Sequence, residues 1–273
     1  MAEKYLVAGS TREAAALKTS DAAYLAGGTE INRLGSTLSP DILISLKNLK
    51  ELKQISICND NDGKEKVSIG ALSTFQEIID SKDAPDYLKE ACRFMGSMTK
   101  RNMATIGGNI ALCRDDSYLL PTLIAAGAGL LLMDAEGKSL SLSLEEYIKE
   151  QDAVRNLLIM SVILPASLDF IKANRQANTV ESNARLTVCV GISQGHYKAA
   201  AAIKNCGLFV LDDLSAMLEA DPALSEPALI SWAEQKELPV QDDKVFGGAA
   251  YRRYLLGAVI ARLLRDYGKG GQP

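Results

Sequence analysis

Two short stretches carry the residue types that could hold an anion without a positive side chain. Residues 24–31 read YLAGGTEI and residues 101–110 read RNMATIGGNI, so the pairs Gly27-Gly28 and Gly107-Gly108 lie 80 positions apart. Small polar residues border both: Thr29 follows the first pair, and Thr105 and Asn109 flank the second. Paired glycines weaken any helix or strand that contains them, so something at these points needs bare backbone. Successive glycines can turn their N–H groups inward and form a concavity for an anion. A threonine hydroxyl or a helix N-terminus adds a further donor. Two such loops could grip a pyrophosphate from both sides.

No acid–base set accompanies them. His196 is the sole histidine and lies in SQGHYK, which reads as a hairpin turn, so a Ser–His–Asp triad or a multi-histidine metal site is very hard to build. The five cysteines, Cys58, Cys92, Cys113, Cys189 and Cys206, form no CxxC pair. A disulfide framework, a zinc site and an iron–sulfur cluster each lack their spacing. Small buried thiols in a reducing cytoplasm are the expectation. No GxGxxG follows a strand: GAGLLL, residues 127–132, has leucine where the third glycine belongs and runs into a strand. No GxxxxGK[ST], metal spacing, carboxylate pair or nucleophile motif such as GxSxG stands out. A phosphate cradle without catalytic side chains points to a cofactor that carries the chemistry.

The elements that must position these loops are legible in outline. Ser10 and Glu13 form a capping box ahead of an alanine-rich helix, and Ser73 with Gln76 and Ser143 with Glu146 repeat the pattern. AAYL reads as a strand running into the first Gly-Gly turn, and DILIS, KVSIGA, GLLLMD, KSLSL and LLIMSVILP as further strands. Helices are expected in DYLKEACRF and LLPTLIAA. The first ~165 residues thus alternate strands and helices, an α/β or α+β pattern. Beyond Pro165, LTVCVGIS and YKAAAAIKN suggest an antiparallel hairpin, followed by helices in LDDLSAMLEA, EPALISWAEQ and the closing AAYRRYLLGAVIARLLRDYG. In that last helix Tyr254, Leu255, Ala258, Val259 and Leu263 share an apolar stripe, with Arg252, Arg253, Arg262 and Arg265 on a solvated face.

Composition narrows the function classes. The chain has 273 residues, 47% hydrophobic and 23% charged, with net charge -4. This argues against a general nucleic-acid or anionic-membrane binder. The N-terminus shows no apolar signal region. The longest uncharged stretch, residues 117–133, is shorter than the ~20 residues a membrane span needs, and it contains Pro121, Gly127 and Gly129. It reads as a buried helix plus a buried strand.

YLAGGTEINRL and RNMATIGGNIA together resemble the two FAD-binding loops of the flavin subunit of molybdenum hydroxylases, a family that includes the flavin domain of xanthine dehydrogenase and the medium subunit of carbon monoxide dehydrogenase. DILISLKNLKELKQI, VSIGALSTFQEI, LLPTLIAAGAGLLL and VFGGAAYRRYLLGAVIARLL resemble further segments of that family in order, so the resemblance spans nearly the whole chain. It implies an α+β architecture: a vanillyl-alcohol-oxidase or PCMH-type FAD-binding fold of two α/β subdomains in residues 1–165 (about 1–55 and 56–165), and a smaller C-terminal α+β domain of the carbon monoxide dehydrogenase flavoprotein type in 166–273.

The same resemblance implies that Tyr24, Leu25, Ala26, Gly27, Gly28, Thr29, Glu30 and Ile31 line the pyrophosphate and ribityl chain of FAD. Thr105, Gly108 and Asn109 would hold that region from the other side. Ile159 would pack near the flavin or adenine, and Lys172 would sit near the isoalloxazine carbonyl edge. The implied partners are a molybdenum-cofactor subunit and a [2Fe–2S] subunit, with NAD+ or another acceptor receiving the electrons. No metal ligand is expected from this chain. Two positions depart from the family pattern. Tyr118 stands where many members carry an aspartate for FAD hydroxyls, with Asp115 and Asp116 just upstream as substitutes. NRQANTVESNARL keeps Arg175 but otherwise blurs the segment after the lysine. The Tyr118 departure motivates a rival reading, a structural or assembly subunit that kept the fold and lost the flavin.

Overall fold

The structure, a computed structural model, describes residues 2–270 except 34, 35, 37, 61 and 181. Its contacts divide the chain into two compact units, Met1–Leu112 with Gly127–Ala166, and Cys113–Ala126 with Ser167–Pro273. Residues 113–126 thus leave the first unit and return to it.

The first unit holds two sheets. Strands β1 (Lys4–Val7), β2 (Ala22–Leu25) and β3 (Ile42–Ser45) pair in parallel in the order β1-β3-β2. Parallel neighbours need a crossover, and helix Thr11–Ala16 lies between β1 and β2 in the chain. Ser10 caps it, its hydroxyl accepting from the Glu13 amide at 3.1 Å. Ala14 and Ala15 bury their methyls with Ala22, Ile44 and Leu46.

The second sheet of this unit is antiparallel: β4 (Ile55–Asn59), β5 (Glu65–Gly70), β6 (Gly129–Met133), β7 (Ser139–Ser143) and β8 (Leu158–Pro165), in the order β4-β5-β8-β6-β7. The capping box expected at Ser143 is present, and Ser10 caps its helix, although Glu13 there accepts from the Gly9 amide rather than completing the box. The one expected at Ser73 and Gln76 is shifted by a residue. Thr74 and Glu77 form the capping box of helix Phe75–Asp80, because the Ser73 hydroxyl is fully buried and donates instead to the Lys53 carbonyl at 3.2 Å.

The second unit contains one antiparallel sheet of β9 (Phe170–Gln176), β10 (Leu186–Ser193), β11 (His196–Ile203) and β12 (Gly207–Val210), in the order β12-β11-β10-β9. Gln194 and Gly195, both with positive φ, make the two-residue turn that the hairpin needs. Alternate residues of β10 face opposite ways. Leu186, Val188, Val190 and Ile192 join the apolar faces of helices Asp212–Ala220, Glu226–Gln235 and Ala249–Gly270. Helix Leu120–Ala125 packs against β10 and β11 as well.

The closing helix corrects the expected stripe. Val259 and Leu263 of the expected stripe are buried, but Leu256, Ile260 and Ala261 are buried with them, while Tyr254 is 46% exposed. Arg252, expected on the solvated face, is 4% exposed and donates to the Gln241 and Lys204 carbonyls. Hydrogen bonding to carbonyls is what allows a guanidinium to sit there. Among the described residues, no helix is long and apolar enough to cross a membrane.

Residues 113–119 are pinned within the second unit by charge. The Asp115 carboxylate accepts from Lys204 Nζ at 2.9 Å and from the Asn205 amide at 2.7 Å. Asp116 pairs with Arg114 at 2.7 Å and with Lys204 at 3.2 Å. Burial works against the charged form of Asp116, but hydrogen bonds and attraction from Arg114 and Lys204 outweigh it and hold the carboxyl below its usual range. The folded pKa therefore lies under the unfolded value near 3.9. The contribution to stability is full above about pH 4 and is lost as pH falls through the lower folded value. Asp116→Asn should cost about 1–3 kcal/mol at neutral pH, measured by denaturant titration, with the gap to wild type closing below about pH 4. A gap that stays constant down to pH 2 would contradict the ion-pair account.

Candidate cofactor site

The two glycine stretches meet. Both belong to the first unit. A Cβ built on Gly27 would lie 1.7 Å from the Met103 carbonyl oxygen and 2.7 Å from its carbon. No side chain of any kind fits such a main-chain contact, so the first glycine is required by the second stretch. Gly28 has φ +68°, a left-handed conformation that glycine adopts without steric cost.

The second pair answers to a different neighbour. Gly107 and Gly108 lie inside helix Ile106–Leu112, despite the weakening that glycine brings. A Cβ on Gly107 would come within 2.6 Å of the Ala71 side chain and 2.9 Å of its carbonyl. That carbonyl accepts from the Gly107 amide at 2.9 Å, and the Ala71 amide donates to Met160 O at 3.0 Å. The Ile106 amide donates to Ser73 O at 3.0 Å, and the Phe75 amide to Ala104 O at 2.9 Å. Thr105 accepts from the Gly108 amide through its hydroxyl at 3.2 Å and from the Asn109 amide through its carbonyl at 3.0 Å. The amides of 106–109 are therefore engaged inside the protein. This corrects the picture of two equivalent sets of inward-facing amides.

The first stretch contrasts with it. Among the described residues, the amides of Ala26, Gly27, Gly28 and Thr29 donate to no protein acceptor. All four residues are half-buried. Four main-chain donors in sequence without a partner among the described residues make a donor array that suits an anion. The residues present thus fit a diphosphate. The chain turns just beyond, with the Asn32 amide donating to Gly28 O and the Arg33 amide to Glu30 O, both at 3.0 Å. Glu30 is chelated by Arg33, with Nη2 at 2.7 Å. The E-x-x-R spacing at 30–33 is the local signal that could have nominated Arg33.

The remaining expected residues lie as follows. Tyr24 and Leu25 end β2, opposite Ile44 and Ser45. The Tyr24 ring packs beside the alanine-rich core of the unit with Lys18 Nζ 5.9 Å from its centroid. Its hydroxyl is buried without a protein partner, and burial pushes its pKa up. Ile159 is buried in β8 opposite Leu132, next to Met160. Lys172 belongs to the second unit, on β9, and pairs with Asp266 at 2.8 Å.

Asp115 and Asp116 are committed to Lys204, Arg114 and Asn205, as described above. The Arg175 guanidinium lies 4.9 Å from the centre of the Tyr118 ring.

The thiols and the histidine add no chemistry. Burial pushes Cys113 up to about 11 and Cys189 up to about 12, which keeps both protonated and poorly nucleophilic. Residues 191–195 do spell GxSxG, which corrects the reading that no such motif stands out; Ser193 nevertheless ends a β-hairpin strand opposite a His196 ring that is 81% exposed, not a strand-to-helix elbow. Among the described residues, no group of three or more His, Cys, Asp or Glu side chains could hold a metal ion.

The family model of the FAD binding domain in molybdopterin dehydrogenase matches residues 1–167. The protein YgfM of Escherichia coli (strain K12) is 27% identical over 277 residues, spanning 100% of this chain and 99% of that protein. Xanthine dehydrogenase 1 of Arabidopsis thaliana is 29% identical over 212 residues, which cover 70% of this chain and 15% of that protein. Among solved structures, a chain of carbon monoxide dehydrogenase from Hydrogenophaga pseudoflava, in a form lacking the Mo-pyranopterin moiety of the molybdenum cofactor, superposes with a TM-score of 0.81 at 22% identity. It covers 98% of each chain, a likeness of fold.

Replacing Gly27 by alanine should force the two main chains apart and destabilise the protein by about 1–3 kcal/mol. Gly129→Ala, whose added methyl meets nothing closer than 3.9 Å, should stay within about 0.5 kcal/mol of wild type. Chemical denaturation of both variants checks the pair.

Proposed function

Because the chain belongs to the family of FAD binding domains in molybdopterin dehydrogenases, we propose that it is the electron-transfer flavin chain of a molybdenum hydroxylase of the xanthine dehydrogenase type. The run of unpartnered amides at Ala26–Thr29 carries this reading. It offers a diphosphate directed donors from a loop whose shape is set by main-chain contact. Hydrogen bonds to a charged acceptor contribute about 1.5–3 kcal/mol each, so no lysine or arginine need enter the cradle.

In this reading residues 1–165 carry the dinucleotide and 166–273 form the accessory domain. Ala26–Thr29 hold the diphosphate, while Tyr24, Leu25, Glu30 and Ile31 shape the walls of the first loop. Thr105, Gly108 and Asn109 bound it from the second, Ile159 adds apolar packing, and Lys172 offers a cation from the accessory domain. Bound FAD supplies a carrier that collects electrons from [2Fe–2S] clusters of one partner chain and delivers them to NAD+ or another acceptor. A separate molybdenum-cofactor chain would choose the substrate. The residues of this chain bind and orient the cofactor.

The purified chain should be yellow, or become so on adding FAD. Gly108→Val should lose the flavin while its far-ultraviolet circular dichroism stays native, and unchanged FAD content would remove the second loop from the site. A colourless protein that refuses FAD would instead favour the flavin-free structural subunit.

A further inference from the structure

Glu30 poses a problem for an anion site. Its carboxylate belongs to the residue immediately after the run of open amides, and its side chain is only 13% exposed. A charge removed from water so close to a bound diphosphate would oppose it strongly. The structure shows an answer. Arg33 Nε lies 3.0 Å from both Glu30 carboxylate oxygens, and Arg33 Nη2 lies 2.7 Å from one of them. The pair is built into the turn, since the Arg33 amide also donates to the Glu30 carbonyl. The guanidinium itself is 43% exposed.

Resting on the FAD reading above, we propose that Arg33 is a positioning residue for the diphosphate. It chelates Glu30, cancels its charge and fixes the carboxylate, so that the amide array presents net positive potential to a dianionic ligand. Arg33 acts through Glu30 and does not touch the diphosphate. The chelate is directional, and Arg is suited to it by its planar fork.

The assay is FAD titration of the full-length chain at low salt, followed by flavin fluorescence. Arg33→Gln should weaken FAD binding about tenfold, and the penalty should shrink as salt is added. Glu30→Gln alone should bind FAD more tightly than wild type, because it leaves the Arg33 guanidinium beside the loop without its counter-charge. The double variant Arg33→Gln/Glu30→Gln should return to wild-type affinity, because removing the carboxylate removes the need for its screen. Arg33→Lys, which keeps the charge but loses the fork, should recover part of the affinity that Arg33→Gln loses, and so guards against a mere folding defect. A double variant as weak as Arg33→Gln would overturn the proposal by making Arg33 a direct ligand contact. Weakening in Glu30→Gln alone would overturn it by making the carboxylate itself a contact. If wild type binds no FAD, the cofactor reading fails, and this proposal with it. If wild type binds and Arg33→Gln binds equally, only this proposal fails.

Discussion

The contact between Gly27 and the Met103 carbonyl is the constraint on which the candidate site depends. Two segments far apart in the chain touch main chain to main chain, at a separation that any Cβ would abolish. A second set of backbone bonds ties the same region to the five-stranded sheet, with Ala71 between Gly107 and Met160. Side chains can rotate away from a clash, but main chain can do so only by moving the loops. The shape of the first loop is thus inherited from the packing of the second, and little is left for a ligand to organise.

That constraint separates the roles of two stretches that look alike as letters. In one, bare backbone allows close packing and every amide of 106–109 is engaged by the protein. In the other, four amides in a row donate to no acceptor among the described residues. An array of this kind carries its partial charge without the desolvation cost of a buried lysine. The nearby carboxylate of Glu30 would spoil that potential if left alone, and Arg33 meets it in a chelate. Burial holds the Cys92, Cys113 and Cys189 thiols protonated, and the family's FAD supplies the redox chemistry.

The second unit follows a different logic. Its β10 strand is buried on both faces except at its last residue, Ser193, with helices packed against it. The segment 113–126 joins that unit through ion pairs of Asp115 and Asp116 with Lys204. The carboxylates expected to stand in for a ligand contact near Tyr118 are held in ion pairs. Nothing local in DDSY distinguishes the two uses, since the partner lies 88 or 89 residues away.

Local physics made much legible from sequence alone. The alternating strands, the caps at Ser10 and Ser143, the hairpin around Gln194-Gly195 and the need for bare backbone at two points follow from neighbours within a few residues. So did the exclusion of triads and thiolate metal sites, which rests on counting. What only the tertiary structure decided were the pairings over long separations. These include the burial of Arg252 under distant carbonyls, the shift of a cap from Ser73 to Thr74 because Lys53 takes the serine hydroxyl, and the reason for each glycine pair. Glycine announces that a Cβ is forbidden, but the atom that forbids it belongs to a part of the chain that sequence spacing does not reveal.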